Sequence, residues 1–520
     1  MIRRHYVGAG ILIISCFLLI ILATFKAGGT DDAFITYTFA RNLSLGYGIS
    51  WYPGGPPVYG STTFTYTAIL ALAGYLGSDI LTTSMVLGAL FWSLSYLLVY
   101  IIAKDKVGVV PSLLILLLGS VASIRIVFQS LGMEAGLYTF LALLSFVLYA
   151  RERLRLALIV CALLIMTRLD GALVPALILS HYILAGSSPL SKRMVGLARA
   201  AWPMTLVLAT WLVFLQLYFG TVLPNSFRAK MLYGEEIGHP FQPLLYLDFL
   251  NPIRSPGSVP FGFRSEVGLW IFYAGLLVAG LFILVAGVGV VRAAYQWRNP
   301  WALVLLWIPF YVTMFYFSGM RSARWYFVPL FPVLYFSFVY GARWLVERLP
   351  RGSHSHRSAF FMPAASVILL VYGALLISGM SETYHRISSD PFGERAFQTD
   401  RHHVLAKVIR RDMQDQGLER TSVMAFEVGY IGYYVPGRVH DILGLVSPDV
   451  VKKGGFRKNP LYILEHHKPR YAAITVTKRN PATGPIARSE EFQDNYKVIY
   501  TRVKKGAPTP YKVFRRTNES

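Results

Sequence analysis

The 520 residues are 54% hydrophobic and 15% charged, with a mean hydropathy of +0.48; this balance excludes a soluble cytosolic enzyme and a disordered scaffold. Lys and Arg number 50 against 27 Asp and Glu, a net charge of +23, but many of these cations fall in short loops between apolar runs, where membrane topology explains them without nucleic acid. Cys16 and Cys161 both lie inside apolar runs and support neither a disulfide framework nor a cysteine metal site.

In chain order, the first apolar run, residues 6–25, follows Arg3 and Arg4. It is longer than a signal-peptide core and is followed by no Ala-x-Ala site, which predicts a retained helix. Further spans of bilayer length are predicted at residues 84–103, 108–127, 133–150, 200–219, 266–290, 300–318, 326–345 and 359–380. Residues 155–186 are too long for one untilted helix and are broken by Thr167-Arg168-Leu169-Asp170-Gly171; two short helices meeting at a polar elbow are expected there. The total is about eleven transmembrane helices. Residues 61–77 carry Thr62, Thr63, Thr65 and Thr67, and counting them as a span would strand the later basic loops outside, so they are read as interfacial. This puts the amino terminus in the cytoplasm and everything after about residue 385 outside.

From about His385 charge rises and long apolar runs end. A helix is predicted over 401–416 and strands over 422–426, 439–443, 471–476, 496–503 and 511–514, a small α/β unit. The expected domains are therefore a transmembrane region, 1–384, whose first outer loop covers about 27–83, and an extracytoplasmic α/β domain, 385–520. Glu427, His440 and Asp441 are candidates for chemistry in that domain but read chiefly as structural, and His466-His467 as surface. The basic surface would attract anionic headgroups or an acidic glycan, or is simply solvated.

A second set of ionisable residues gathers at the outer ends of the spans: Asp31, Asp32, Glu134, Arg168, Asp170, Arg228, Lys230, Arg321 and Arg324. Such groups usually pair or mark a pathway, and one shared pocket is the economical reading. Adjacent Asp31 and Asp32 repel each other when ionised, so they suit a general base with an orienting partner, or a bound cation. After Pro224 stops a helix, Arg228 and Lys230 are placed to hold a lipid phosphate, as are Arg321 and Arg324.

Asp31-Asp32-Ala33-Phe34-Ile35-Thr36 through Tyr37 and Ala40-Arg41-Asn42, with Gly46-Tyr47-Gly48 and Val58-Tyr59-Gly60-Ser61-Thr62, resembles the first outer loop of GT-C-fold glycosyltransferases. The lipid-linked arabinofuranosyltransferases, of the mycobacterial terminal β-(1→2) and pilin types, are the nearest resemblance. Gly132-Met133-Glu134, the 167–171 elbow, Leu223-Pro224-Asn225 with Ala229-Lys230, and Gly432-Tyr433-Tyr434 through Asp441-Ile442-Leu443-Gly444-Leu445 look like recurring patches of that group. The elbow departs from it, reading Arg168-Leu169-Asp170 where many relatives have Arg-Pro-Glu.

The resemblance implies a GT-C-like membrane enzyme that transfers a sugar with inversion from a polyprenyl-phosphate donor to a glycan or glycoconjugate, on the outer face of the cytoplasmic membrane. Asp31 or Asp32 would be the base, Lys230, Arg228, Arg321 and Arg324 would hold donor phosphate, and Glu134, Arg168, Asp170, Tyr37, Arg41 and Asn225 would complete the pocket. The resemblance fixes no cofactor, and a divalent cation on Asp31 and Asp32 stays open. Two other readings are a flippase of lipid-linked sugars, against which stands the lack of an inverted repeat, and a non-catalytic cell-envelope assembly protein.

Overall fold

A computed structural model of the chain describes residues 30–113, 115–116, 130, 132–237, 266–318, 324–348, 401–475, 480–502 and 511–517. The predicted spans at 6–25 and 359–380, most of 108–127, and the proposed domain boundary near 385 lie outside the described residues.

The first loop, expected on the outer side, opens with α1 (Asp31–Ser44), followed by α2 (Phe64–Tyr75). At about 1.5 Å per residue the twelve residues of α2 span roughly 18 Å, short of a hydrocarbon core of about 30 Å. Helix α3 (Ile80–Val107) is capped by the Asp79 carboxylate, which accepts the Thr82 N–H at 2.7 Å. Helices α4 (Ala135–Ala150), α5 (Leu154–Thr167) and α6 (Leu173–Ala185) follow, the last two joined through a 3-10 turn at Leu169–Ala172. The polar elbow thus falls where two short helices meet. Long α7 (Leu190–Phe219) ends at Gly220 in the left-handed region, and Pro224 leads into α8 (Asn225–Ile237).

Helices α9 (Glu266–Tyr295), α10 (Ala302–Phe317) and α11 (Phe331–Glu347) complete the described membrane region. Among the described residues four helical stretches, Ile80–Val107, Leu190–Phe219, Leu277–Tyr295 and Val328–Glu347, are long and apolar enough to cross a membrane. Helices α9 and α11 approach closely because small residues meet at the crossing. A Cβ on Gly289 would stand 2.0 Å from the Ser337 carbonyl oxygen, and one on Gly341 would stand 2.2 Å from that of Val285.

The C-terminal unit begins with α12 (Arg401–Asp415) and alternates short elements: β1 (Thr421–Ala425), α13 (Gly429–Tyr434), β2 (Gly437–Asp441), β3 (Tyr471–Thr475), β4 (Tyr496–Arg502) and β5 (Tyr511–Arg516). The sheet order is β2-β1-β3-β5-β4; β1 pairs parallel with β2 and β3, and β5 pairs antiparallel with β3 and β4. All five strands overlap the β-rich runs that predicted them, with β2 two residues earlier than the expected 439–443.

Both faces of this sheet are buried, and the period of two explains how. Val423, Ala425, Tyr471, Ala473 and Val513 face a core shared with Leu405 and Ile409 of α12 and with Phe39, Trp51 and Val58 of the first outer loop. Their neighbours Met424, Ala472, Ile474 and Phe514 face a second core that includes Ala229 of α8. Two parts of the membrane region therefore dock on opposite faces of the C-terminal sheet, and the Trp51 indole donates to the Val439 carbonyl at 3.1 Å. The outer unit is a structural component of the loop that carries the Asp pair.

Candidate active site

The two adjacent carboxylates at the start of α1 point to different neighbours. Both oxygens of Asp31 accept backbone N–H groups of α13, from Gly429 and Tyr430, each at 3.0 Å. Charge-assisted bonds of this kind contribute about 1.5–3 kcal/mol apiece, and they clamp α1 to the outer unit. Gly429 allows the approach, because a Cβ there would lie 1.8 Å from the Asp31 carbonyl oxygen. Phe34, one turn along α1, stacks on Tyr430 with ring centroids 4.0 Å apart.

Asp32 instead lines an open cleft of about 110 Å³, together with Ile35 and Thr36 from the same face of α1, residues 60–63, Met133, Glu134, Arg168, Ser226, Lys230, Trp325, Tyr326 and Leu445. Seven separate stretches of chain converge there. The helical period accounts for two of the groupings: Asp32 and Thr36, like Ser226 and Lys230, are four residues apart and share a face. Thr36 belongs to a wall of hydroxyls, its Oγ1 standing 3.2 Å from that of Thr63, which in turn is 2.9 Å from Ser61 Oγ.

The cations of the cleft are held from behind. Arg168 is 3% exposed, and its guanidinium is paired through two atoms with Asp170, at 3.0 and 2.6 Å, with Glu134 a further 3.8 Å from Nη1. Its Cζ lies 4.5 Å from the Tyr138 ring centroid and 4.8 Å from that of Tyr326. The Tyr311 hydroxyl completes the arrangement, 2.9 Å from Asp170 and 2.8 Å from the Tyr326 carbonyl. Among the described residues Arg168 Nη1 is buried without a hydrogen-bond partner. Lys230 Nζ donates to the Tyr326 hydroxyl at 3.0 Å.

Several residues expected in the pocket stand elsewhere. Asp170 backs Arg168 and does not line the cleft. Tyr37 is fully buried behind it; its hydroxyl donates to the Gly132 carbonyl at 3.0 Å and accepts from Ser84 at 2.7 Å. This fixes the turn that presents Met133 and Glu134, and Gly132 must be glycine there, with φ +85° and a Cβ position 2.0 Å from that hydroxyl. Asn225 is buried too, and donates to the Leu445 carbonyl at 3.1 Å and to that of Gly444, which brings Leu445 of the outer unit into the cleft. Arg228 is exposed and outside the cleft. Arg321 lies outside the described residues, and Arg324 opens the 3-10 turn Arg324–Tyr326 that delivers Trp325 and Tyr326.

Arg41 departs furthest. Nine residues beyond Asp32, at the far end of α1, it lines a second cavity. Ser226, Thr36, Ser61, Thr63 and Tyr326 line the cleft without having been singled out as pocket residues. The first two were legible in principle, as the i,i+4 partners of residues that were.

The charge set bears on a metal. Glu134 is engaged with Arg168, Asp31 with two N–H groups, and among the described residues no cluster of three His, Cys, Asp or Glu could hold an ion. A pair of Asp31 and Asp32 acting as joint ligands does not fit this arrangement. In the outer unit, His440 stacks on His467 at 4.4 Å, and burial pulls its pKa down to about 3, with Arg438 and His467 adding to the effect. Asp441, pushed up to about 7 by burial, accepts the Leu443 and Val446 N–H groups and shapes the 442–446 loop. Neither lines the cleft.

A multi-pass helical membrane region is joined to a mixed α/β sheet unit, with a polar cleft between the first loop and the helix ends, and this fold is GT-C-like by its likeness to the solved structures that follow. Residues 395–514 match a family model described as a domain of unknown function (DUF8728). No curated protein sequence matches the chain significantly. Among solved structures, the archaeal oligosaccharyltransferase AglB from Archaeoglobus fulgidus, in complex with an inhibitory peptide and a dolichol-phosphate, aligns at a TM-score of 0.56 and 11% identity over 98% of this chain and 74% of that one. ArnT from Cupriavidus metallidurans aligns in the apo state at 0.55 and 13% over 98% of both chains. Bound to undecaprenyl phosphate, it aligns at 0.54 and 14% over 98% of this chain and 97% of that one.

Proposed function

We propose that the chain is an inverting glycosyltransferase that takes a sugar, arabinofuranose-like in our reading, from a polyprenyl-phosphate donor and places it on a glycan or glycoconjugate at the outer face of the cytoplasmic membrane. The proposal includes the division at about residue 385, a cytoplasmic amino terminus and an extracytoplasmic C-terminal domain. The observation that carries it is a carboxylate and two cations, Asp32 with Lys230 and Arg168, on one open cleft in a fold like that of proteins solved with dolichol-phosphate or undecaprenyl phosphate.

In this mechanism Asp32 takes the proton of the acceptor hydroxyl as its oxygen bonds to the anomeric carbon. The bond from that carbon to the phosphate oxygen breaks on the opposite face, its electron pair leaves with polyprenyl phosphate, and the anomeric configuration inverts. Lys230 and Nη1 of Arg168, which among the described residues has no hydrogen-bond partner, meet the negative charge gathering on the phosphate. Asp31, Tyr37, Asp170 and Asn225 are positioning residues: they hold α1, the Gly132 turn, Arg168 and Leu445. A phosphate leaving group asks for alignment, a base and charge neutralisation, which these residues supply.

The test is purified protein supplied with synthetic polyprenyl-phosphoryl arabinofuranose and other polyprenyl-phosphoryl sugars, each with a panel of glycan acceptors. Release of polyprenyl phosphate with a product of inverted anomeric configuration is expected. A folded protein that forms no product with any donor, yet moves lipid-linked sugar across empty liposomes, overturns the reading in favour of a flippase.

A further inference from the structure

The second cavity, at the far end of α1, is larger than the cleft, about 420 Å³, and lies between the first outer loop and the outer unit. That volume is within the range of about 300–1,000 Å³ typical of small-molecule sites. Among the described residues three guanidinium groups line it, those of Arg41, Arg410 and Arg420, and no carboxylate does. Arg410 and Arg420 are exposed. Tyr47, Tyr52, Tyr433 and Tyr434 supply the aromatic part of the lining, and Arg438 stands 5.7 Å from the Tyr52 ring centroid.

Arg41 is the informative member. It is partly buried, and burial pulls its pKa below the ordinary value. Its Nη1 donates to the Tyr433 carbonyl, and Nε and Nη2 reach Asn42 Oδ1 at 3.4 and 3.3 Å. These use three of the five N–H groups of a guanidinium. Among the described residues no carboxylate pairs with it. Asp79, whose charge is felt at Tyr433 and Tyr434, is occupied in capping α3. A desolvated cation without a counter-ion is costly to keep, so an anion that enters this cavity relieves that cost.

We propose that this cavity binds an anionic saccharide, a sugar bearing a carboxylate or phosphate, through Arg41, Arg410 and Arg420 beside Tyr47, Tyr52 and Tyr433. The planar guanidinium fork matches both anions through two parallel bonds. Tyrosine offers an apolar ring to the C–H face of a sugar and a hydroxyl to its O–H groups, which favours a saccharide over an acidic peptide. At about 1.5 Å per residue, Arg41 stands roughly 14 Å along α1 from Asp32, so a chain held here can extend toward the cleft. Its assignment to the acceptor side rests on the transferase reading; the binding itself does not.

The experiment is calorimetric binding to the full-length protein in detergent, with three probes: trigalacturonate, mannose 6-phosphate and neutral maltotriose. Binding of trigalacturonate or mannose 6-phosphate, whichever anion is taken, is expected to exceed maltotriose at least tenfold. It should weaken by at least tenfold in R410A/R420A, whose side chains are exposed, and stay unchanged in Asp32→Asn. Equal binding of maltotriose, full binding by R410A/R420A, or tighter binding of an oligoglutamate peptide would overturn the proposal. Because binding is read without turnover, a protein that binds the anion but transfers no sugar sinks the transferase reading alone, and one that transfers without an anion preference sinks this inference alone.

Discussion

The two ends of α1 solve opposite electrostatic problems. At its N-terminal end the cleft balances its charges internally: Arg168 is paired with Asp170 and near Glu134, and Asp32 shares the space with Lys230. At its C-terminal end the cavity gathers Arg41, Arg410 and Arg420, with no carboxylate among the described residues of its lining. A balanced set suits a site where charge moves during a reaction, since each developing charge finds a partner already in place. An unbalanced set suits a site that waits for a charged ligand. One helix, pinned at its start by Asp31 to the outer unit, holds both at a fixed spacing.

The largest expected effect is the loss of the base: Asp32→Asn lowers kcat/KM by about 10²–10⁴, measured by product formation, with thermal unfolding unchanged. Next, Asp170→Ala leaves Arg168 buried with only distant Glu134 for compensation. Breaking a buried pair in this way costs about 3–5 kcal/mol of stability, read as a fall in detergent unfolding temperature together with lost activity. Asp31→Ala strands the Gly429 and Tyr430 N–H groups, a penalty of about 1–3 kcal/mol for each buried unsatisfied donor. Hydrogen exchange in α13 should rise, and activity should fall through misplacement of α1, with part of the loss recovered in Asp31→Asn.

The smallest effect concerns pH. His440 has its folded pKa pulled from 6.5 down to about 3, so its contribution to stability is present above pH 6.5 and lost as pH falls toward 3. Asp441, raised from 3.8 to about 7, acts in the opposite sense and destabilises as pH rises through that window. The groups facing His440 are Arg438, His467 and Asp449. His440→Gln should therefore leave Asp441 in control: the variant gains stability from pH 7 to pH 4.5 relative to wild type, with no difference between the two in pH dependence at alkaline pH. Unfolding followed by exchange in β1 reads this directly.

Much of the frame was legible because it rests on local periodicity. The alternation of Val423, Met424 and Ala425 marks a strand with two buried faces, and Thr167 to Gly171 interrupts an apolar run that could not be one helix. The gathering of Asp32, Glu134, Arg168 and Lys230 was legible as charge left over once topology had been satisfied. The division of labour between Asp31 and Asp32 was not, because it depends on α13, 398 residues away from Asp31. Arg41 was expected in the pocket from the resemblance of the segment 31–42, whereas a helix carries nine residues well past a pocket of this size. Of the hydroxyl wall of Thr36, Ser61 and Thr63, only Thr63 showed in the sequence as polarity, within the stretch 61–77 that charge bias kept from being a span.

The account stands most directly on Asp32, and not Asp31, being the base. Steady-state transfer by wild type, Asp31→Asn and Asp32→Asn, run side by side on one polyprenyl-phosphoryl sugar, measures it. The account predicts that Asp32→Asn loses at least about 10² in kcat with its fold intact, while Asp31→Asn keeps the larger part of its activity and loses stability instead. Full activity in Asp32→Asn, or abolished activity in a stably folded Asp31→Asn, would contradict it.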